Sequence, residues 1–147
     1  MNEYTLKDIE IGMEAFFQTK ITAEMENAFR EITGDINPMH RDDRFASELW
    51  EGRYDRHVVF GMLTASFYST LAGMYLPGKY SLIHSIEDLQ FKIPVFVGDE
   101  LKISGKVVGK EEELNLIIVK AEIKNQNGKC VSKAKIKVLV LRKGRLK

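Results

Sequence analysis

One apolar segment, residues 58–76, constrains the fold of this chain more than any other. Its large side chains, among them Met62, Phe67, Leu71 and Met74, are spread around a helix and form no single stripe. A helix that is apolar on most sides is usually buried. Small residues recur through the segment and would allow a sheet or a ligand to approach closely. The rest of the chain is therefore expected to cover this helix.

The chain after Pro77-Gly78 alternates between apolar and polar residues, as strands with one covered face do. The alternation predicts strands over residues 82–93, 101–107, 117–123 and 130–140. Asn127-Gly128 is a strong hairpin signal between the last two strands. The last strand carries lysines on its polar face, which we interpret as a solvated surface that also discourages edge pairing.

The chain before the apolar segment predicts a strand and two short helices. The strand covers residues 14–21, Thr22 is a plausible helix N-cap, and Gly34 is the expected end of that helix. A second helix is predicted over residues 42–50. The residues expected to face the core are Phe16, Phe17, Met25, Phe29, Ile32, Phe45, Ala46 and Leu49. The order of elements predicts one α+β domain over residues 1–147, with a sheet around one helix.

The composition narrows the possible partners. The chain has 147 residues, which suits one core, and its net charge of +1 gives no reason to expect nucleic acid or an acidic membrane surface. The single cysteine, Cys130, suits a reducing compartment. No signal sequence, membrane-spanning run or Cys/His spacing of a metal site is visible. We expect a cytoplasmic protein without a metal ion.

The stretch 33–40, Thr-Gly-Asp-Ile-Asn-Pro-Met-His, holds the candidate chemistry. Asp and Asn are common in turns because their side chains bond to nearby backbone, so a capped turn explains Asn37 and Pro38. Asp35 is as consistent with that turn as with catalysis. A chain bent at Pro38 can also direct Asp35 and His40 towards one water, as a general acid/base pair requires.

Gly61 adds a second candidate group near the start of the buried helix. The first N–H groups of a helix have no intrahelical partner, and they favour negative charge. They can bind a carbonyl oxygen that becomes an oxyanion during a reaction. Close packing is the alternative reason for a glycine at this position.

Three blocks of the sequence together resemble the MaoC-like (R)-specific enoyl-CoA hydratases, also called 3-hydroxyacyl-CoA dehydratases. Residues 32–42, followed by Phe45-Ala46, resemble the hydratase motif of that family. Residues 61–66 resemble the start of its central helix, and residues 91–99 the strand and turn after it. The blocks follow the family's order. The resemblance implies a hot-dog fold, in which an antiparallel sheet wraps a long central helix, and a homodimer.

The resemblance also assigns roles to residues of this chain. Asp35 and His40 match the catalytic pair, Gly61 the glycine that binds the thioester oxygen, and Asn37 a supporting residue. The residues expected near the substrate are Ser66, Ser69 and Ala72, with Ala72 setting the acyl-pocket depth. The chain departs from the family at Phe60, where a histidine is usual. His57 lies upstream, and the connection from His40 to Gly61 is longer than usual.

The implied activity is reversible hydration of trans-2-enoyl-CoA to (R)-3-hydroxyacyl-CoA. It needs no cofactor besides the coenzyme A of the substrate, although an acyl-carrier protein is an alternative carrier. Four basic residues are either phosphate contacts or ordinary surface charge: Arg41, Arg44, Lys79 and Lys92. Two other functions stay open, an acyl-CoA thioesterase on the same fold and a non-catalytic subunit that binds acyl thioesters.

Overall fold

A single five-stranded antiparallel sheet curves around one helix in the computed structural model, which describes residues 1–142. The helices are α1 (Ala23–Thr33), α2 (Asp43–Leu49) and α3 (Gly61–Thr70). Two short 3-10 helices cover Leu6–Asp8 and Pro38–His40, and a π-helix, Leu71–Tyr75, extends α3. The strands are β1 (Glu14–Lys20), β2 (Ser81–Phe91), β3 (Glu100–Glu111), β4 (Leu116–Lys124) and β5 (Cys130–Val140).

The strands lie in the order β1-β3-β4-β5-β2, so β1 and β2 form the two edges. All neighbouring pairs are antiparallel. The predicted hairpin between β4 and β5 is confirmed. The side chain of Asn125 accepts the backbone N–H groups of Asn127 and Lys129, and Gly128 has a φ of 71°, which favours glycine.

Helix α3 and its π-helical extension pack on the concave face of the sheet. Tyr68 is completely buried, and its hydroxyl donates a hydrogen bond of 2.9 Å to Ser132 Oγ on β5. Burial raises the pKa of Tyr68 to about 12, so this hydroxyl stays protonated. Opposite Leu71, a Cβ on Gly105 would lie 2.8 Å from the Leu71 side chain. Gly105 therefore permits a close approach of the sheet to the helix. The small residues of segment 58–76 had predicted such an approach.

The central helix begins at Gly61, which confirms the prediction that Gly61 lies near its start. Residues 58–60 lie outside the helix, because their backbone is bonded to other segments: the Val58 N–H donates to Met39 O and the Val59 N–H to Val95 O. One side of the helix also stays open, with Met62 58% exposed. No helix within residues 1–142 has both the length and the apolar character needed to cross a bilayer.

Several residues predicted to face the core lie at the surface instead. Phe16 is exposed while Phe17 packs on the core, because successive strand residues point to opposite faces of a sheet. Ile32 at the end of α1 is 81% exposed, and Leu49 at the end of α2 is 60% exposed. The predicted ends of α1 are confirmed: Thr22 Oγ1 accepts the N–H of Met25, and Gly34 has a φ of 71°.

The lysine face of β5 does not protect an edge. Strand β5 lies between β4 and β2, so this part of the prediction is wrong. Lys137 Nζ instead lies 3.0 Å from Glu87 Oε1 on β2, and Lys135 Nζ 3.7 Å from Glu87 Oε2. The alternation correctly placed these lysines on the outer face, but their neighbour Glu87 lies 48 and 50 residues earlier in the chain.

Candidate active site

The turn between α1 and α2 is held by its own polar side chains. Asp35 Oδ1 accepts the backbone N–H of Asn37 at 3.0 Å. Asn37 Oδ1 in turn accepts the N–H of Met39 at 2.9 Å and caps the 3-10 helix that begins at Pro38. The predicted capped turn is therefore confirmed for Asn37 and Pro38. The turn places His40 against the segment that precedes α3.

His40 is half-buried and held in a defined orientation. Its Nδ1 lies 2.8 Å from the carbonyl oxygen of Val58. A carbonyl can only accept a hydrogen bond, so Nδ1 carries the proton in the neutral ring and Nε2 keeps its lone pair. The backbone of Val58 also donates to Met39 O, which fixes the two segments on each other. The imidazole is thus oriented to accept a proton through Nε2.

The Phe60 ring packs against the His40 ring. Phe60 is 2% exposed, and its ring centroid lies 4.3 Å from that of His40 and 5.1 Å from that of Phe29. The Arg30 guanidinium lies 5.7 Å from the Phe60 ring centroid and donates a hydrogen bond to His40 O. At the position where a histidine was expected, the chain therefore supplies an apolar support for the His40 ring.

A cavity of about 360 Å³ opens beside His40. Gly61 and Thr64 of α3 line it together with Lys92, which follows β2. The remaining lining residues are mainly apolar: Trp50, Val58, Val59, Phe91, Ile93, Pro94, Val95 and Val131. Few polar groups in a mostly apolar cavity are typical of small-molecule sites. The structure therefore brings His40 and Gly61, two of the predicted site residues, to one cavity.

Helix α3 starts at the edge of this cavity. Thr64 is the first residue of α3 whose N–H bonds within the helix, to Phe60 O at 3.2 Å. Within residues 1–142 the N–H groups of Gly61, Met62 and Leu63 have no hydrogen-bond partner. A Cβ at Gly61 would lie 3.2 Å from Phe91 Cε1. The glycine thus leaves space between the start of the helix and the Phe91 ring.

His57 occupies a different environment, between two carboxylates. Its Nδ1 lies 2.6 Å from Asp43 Oδ1, and its Nε2 lies 3.0 Å from Glu26 Oε2. Glu26 is 4% exposed, whereas the Asp43 side chain is largely solvated. We call Glu26, His57 and Asp43 the His57 cluster. It connects α1, α2 and the loop that precedes α3, and none of its members lines the cavity.

The two carboxylates favour the charged form of His57. Burial lowers the pKa of its imidazole, but hydrogen bonds to Asp43 and Glu26 raise it, and the net result is a pKa above the ordinary 6.5. The backbone N–H of His57, followed by its ring, holds the pKa of Asp43 below its ordinary value. Residues 1–142 contain no group of three or more His, Cys, Asp or Glu residues that could hold a metal ion.

The other predicted site residues do not line the cavity within one chain. Asp35 is exposed on the turn, and within residues 1–142 its side chain makes no hydrogen bond to His40. Ser66 and Ser69 are exposed on another side of α3, and the Ser66 hydroxyl donates to Leu63 O at 2.6 Å. Ala72 is buried in the core. The roles of these four residues, like those of His40, Gly61 and Asn37, remain predictions.

Two features escaped the sequence interpretation. Thr64 lines the cavity and its hydroxyl is buried; its position three residues after Gly61, on the same helix face, is the signal that could have revealed it. The His57 cluster joins His57 to residues 14 and 31 positions earlier, so no local motif reveals it. Both depend on how the segment before α3 is folded back onto the first two helices.

The chain matches the family described as MaoC like domain over residues 8–128. It belongs to the MaoC-like domain family. The MaoC-like chain is 36% identical over 122 residues to an (R)-specific enoyl-CoA hydratase of Aeromonas caviae, across 83% of this chain and 88% of that relative. It is 30% identical over 101 residues to a 3-hydroxybutyryl-CoA dehydratase of Methylorubrum extorquens, across 69% of this chain and 62% of that relative.

A solved structure supports the same assignment. The (R)-hydratase from A. caviae involved in PHA biosynthesis superposes on this MaoC-like chain with a TM-score of 0.83 at 32% sequence identity. The match covers 92% of this chain and 99% of that structure. The hot-dog fold and the family resemblance inferred from the three sequence blocks are therefore confirmed.

Proposed function

We propose that this protein catalyses the reversible hydration of trans-2-enoyl-CoA to (R)-3-hydroxyacyl-CoA. The observation that carries the proposal is the shared cavity of His40 and Gly61, in which one group can accept a proton and the other can stabilise negative charge. Relatives that are a hydratase and a dehydratase of CoA thioesters favour the same reaction in its two directions. The R configuration is proposed from the hydratase relative.

In the proposed reaction, conjugation with the thioester makes C3 of the substrate electrophilic. His40 Nε2 accepts a proton from a water molecule whose oxygen forms the new bond to C3. The electron pair of the C2–C3 double bond shifts towards the thioester oxygen, where the Gly61 N–H stabilises the charge. The proton is then delivered to C2, so one water is added in total. The thioester serves as the electron acceptor, and the step uses no further cofactor.

Asp35 is proposed to hold the same water as His40. Its Oδ1 is occupied by the Asn37 N–H, but its Oδ2 has no hydrogen-bond partner within residues 1–142. It belongs to the same turn as His40. Asn37 caps the short 3-10 helix Pro38–His40, and His40 is the last residue of that helix. Asn37 supports the site by holding this turn.

Lys92 is the basic residue that we propose for contact with a CoA phosphate. It lines the cavity and is exposed. Of the other candidates, Arg44 pairs with Glu48 and Lys79 with Glu3, each within about 3 Å. Lys92 has no acidic partner among the ion pairs within residues 1–142, so its charge is available for a phosphate.

We further propose that the protein is a homodimer. An open face is formed by Met62, Ser66 and Ser69 of α3, and the neighbouring edge strand β2 exposes Leu82 and Ile86. A second copy would cover these apolar groups and pair the free edge of β2. Light scattering after size exclusion tests this, with Leu82→Lys expected to shift a dimer to a monomer. A monomeric wild-type protein would contradict it.

Hydration of crotonyl-CoA by the purified protein tests the proposed function. We expect the absorbance of the conjugated thioester to fall, and chiral chromatography of the product to give the R isomer. Release of free thiol, followed in parallel with DTNB, identifies a thioesterase instead. Tight binding of crotonyl-CoA with unchanged absorbance identifies a non-catalytic subunit, and either result would overturn the hydratase.

A further inference from the structure

The hydroxyl of Thr64 is buried without a hydrogen-bond partner. Thr64 is 2% exposed, and its Oγ1 has no partner within residues 1–142. In a helix, a threonine hydroxyl often bonds to the carbonyl four residues earlier, here Phe60 O. That carbonyl accepts only the Thr64 backbone N–H. Burying an unpaired hydroxyl destabilises a protein, so such a group needs an explanation.

The position of Thr64 suggests what its hydroxyl is for. Thr64 lines the same cavity as His40 and Gly61. Residues three apart share one face of a helix, and side chains of a helix tilt towards its N-terminus. The Thr64 side chain is therefore directed towards the side of Gly61, where α3 leaves its first N–H groups without partners.

Within residues 1–142 no polar group lies within hydrogen-bond distance of the Thr64 hydroxyl. Val59, Val95 and Val131 line the cavity as apolar residues, and Phe60 presents no donor where a histidine was expected. A ligand oxygen bound at the start of α3 would meet one backbone donor from Gly61 and one hydroxyl donor from Thr64. Two donors on one oxygen are the arrangement that stabilises an oxyanion.

We propose that the Thr64 hydroxyl is a second hydrogen-bond donor to the thioester carbonyl oxygen of the substrate, beside the Gly61 N–H. This inference rests on the proposed function, because it takes an acyl thioester as the ligand. As negative charge moves to that oxygen during hydration, the hydrogen bond from Thr64 strengthens. Thr64 would then lower the barrier more than it strengthens substrate binding.

Thr64→Val tests the proposal, because valine keeps the branched shape and removes the hydroxyl. We expect kcat for crotonyl-CoA hydration to fall roughly 10²-fold with a much smaller change in KM, the scale for loss of one oxyanion donor. The thermal midpoint should stay equal or rise, because a buried unpaired hydroxyl is gone. A residue with only a structural role would not combine lower kcat with equal or higher stability.

Two matched variants complete the test. Thr64→Ser keeps the hydroxyl and should retain kcat within about fivefold of wild type. Thr70→Val makes the same exchange at the end of α3, away from the cavity, and should leave kcat unchanged. A Thr64→Val variant with wild-type kcat, or a Thr64→Ser variant as slow as Thr64→Val, would overturn the proposal.

Infrared spectra of bound butyryl-CoA, labelled with ¹³C at its carbonyl, separate this inference from the proposed function. The carbonyl stretch should lie at lower frequency on the wild-type protein and Thr64→Ser than on Thr64→Val. That shift in a protein without hydratase activity would support the Thr64 contact while the proposed reaction fails. An active wild-type enzyme that binds butyryl-CoA with identical spectra for all three proteins would refute the contact alone.

Discussion

His40 and His57 are both half-buried, and each has its Nδ1 within hydrogen-bond distance of an oxygen, yet their environments differ in one decisive respect. His40 bonds through Nδ1 to the neutral carbonyl of Val58 and lines a cavity, and within residues 1–142 its Nε2 has no hydrogen-bond partner. His57 has carboxylates at both nitrogens, Asp43 and the buried Glu26. The partner of Nε2 therefore distinguishes the two histidines. His40 has an Nε2 available for proton transfer, whereas His57 uses both nitrogens to hold helices together.

His40→Gln should produce the largest effect of any change at the two histidines. Glutamine keeps a donor for the Val58 carbonyl but cannot exchange a proton, so we expect roughly 10²–10⁴-fold loss of crotonyl-CoA hydration. The unfolding midpoint should change little. Steady-state kinetics together with a denaturant titration check both parts. Hydration near the wild-type rate would exclude His40 as the base.

Asp35→Asn should reduce hydration by roughly 10²–10³-fold, at or below the loss at His40. The amide oxygen of asparagine can still accept the Asn37 N–H, so the turn should persist, while the carboxylate proposed to hold the water is removed. Kinetics with crotonyl-CoA and circular dichroism check activity and fold. An active variant would assign Asp35 to the turn alone, the structural alternative that its residue type also allows.

His57→Ala should act in the opposite way, on stability before activity. It leaves the buried Glu26 carboxylate without its partner, and because Asp43 and part of His57 are solvated we expect a loss of about 2 kcal/mol in the free energy of unfolding. Urea denaturation measures it. Glu26→Gln, which keeps a hydrogen-bonding side chain at the same site, serves as the milder control. A loss of kcat larger than that of His40→Gln would assign the catalytic role to His57 and contradict the comparison.

The pH dependence of stability should reveal the charged form of His57. Its pKa in the folded protein lies above the ordinary 6.5, so its contribution is fully present below 6.5 and is lost as pH rises through the folded-state pKa. The stability difference between wild type and His57→Ala should therefore shrink as pH increases from 6.5. Asp43, whose pKa is lowered, acts near or below its ordinary 3.8, outside this window. A difference that grows with pH would contradict the assignment.

Much of the fold was predictable from local patterns. Thr22 and Gly34 marked the ends of α1, Asn127-Gly128 marked the β4–β5 hairpin, and the alternation identified the strands. These features are set by capping, turn geometry and strand periodicity, all of which act over a few residues. The exposed positions of Phe16 and Ile32 were not predictable in the same way, because apolarity alone does not say which neighbour covers a side chain.

The sequence by itself determined the candidate chemistry: a histidine after a capped turn and a glycine at a helix start, in an order that identifies the family. Only the tertiary structure decided what these groups contact. The Val58 carbonyl fixes the proton on His40 Nδ1, and Phe60 supports its ring instead of adding a donor. Thr64 faces the same cavity without a partner, and His57 is bound between carboxylates. Each of these outcomes depends on which oxygen lies within about 3 Å of a polar atom, and those oxygens come from segments distant in the chain.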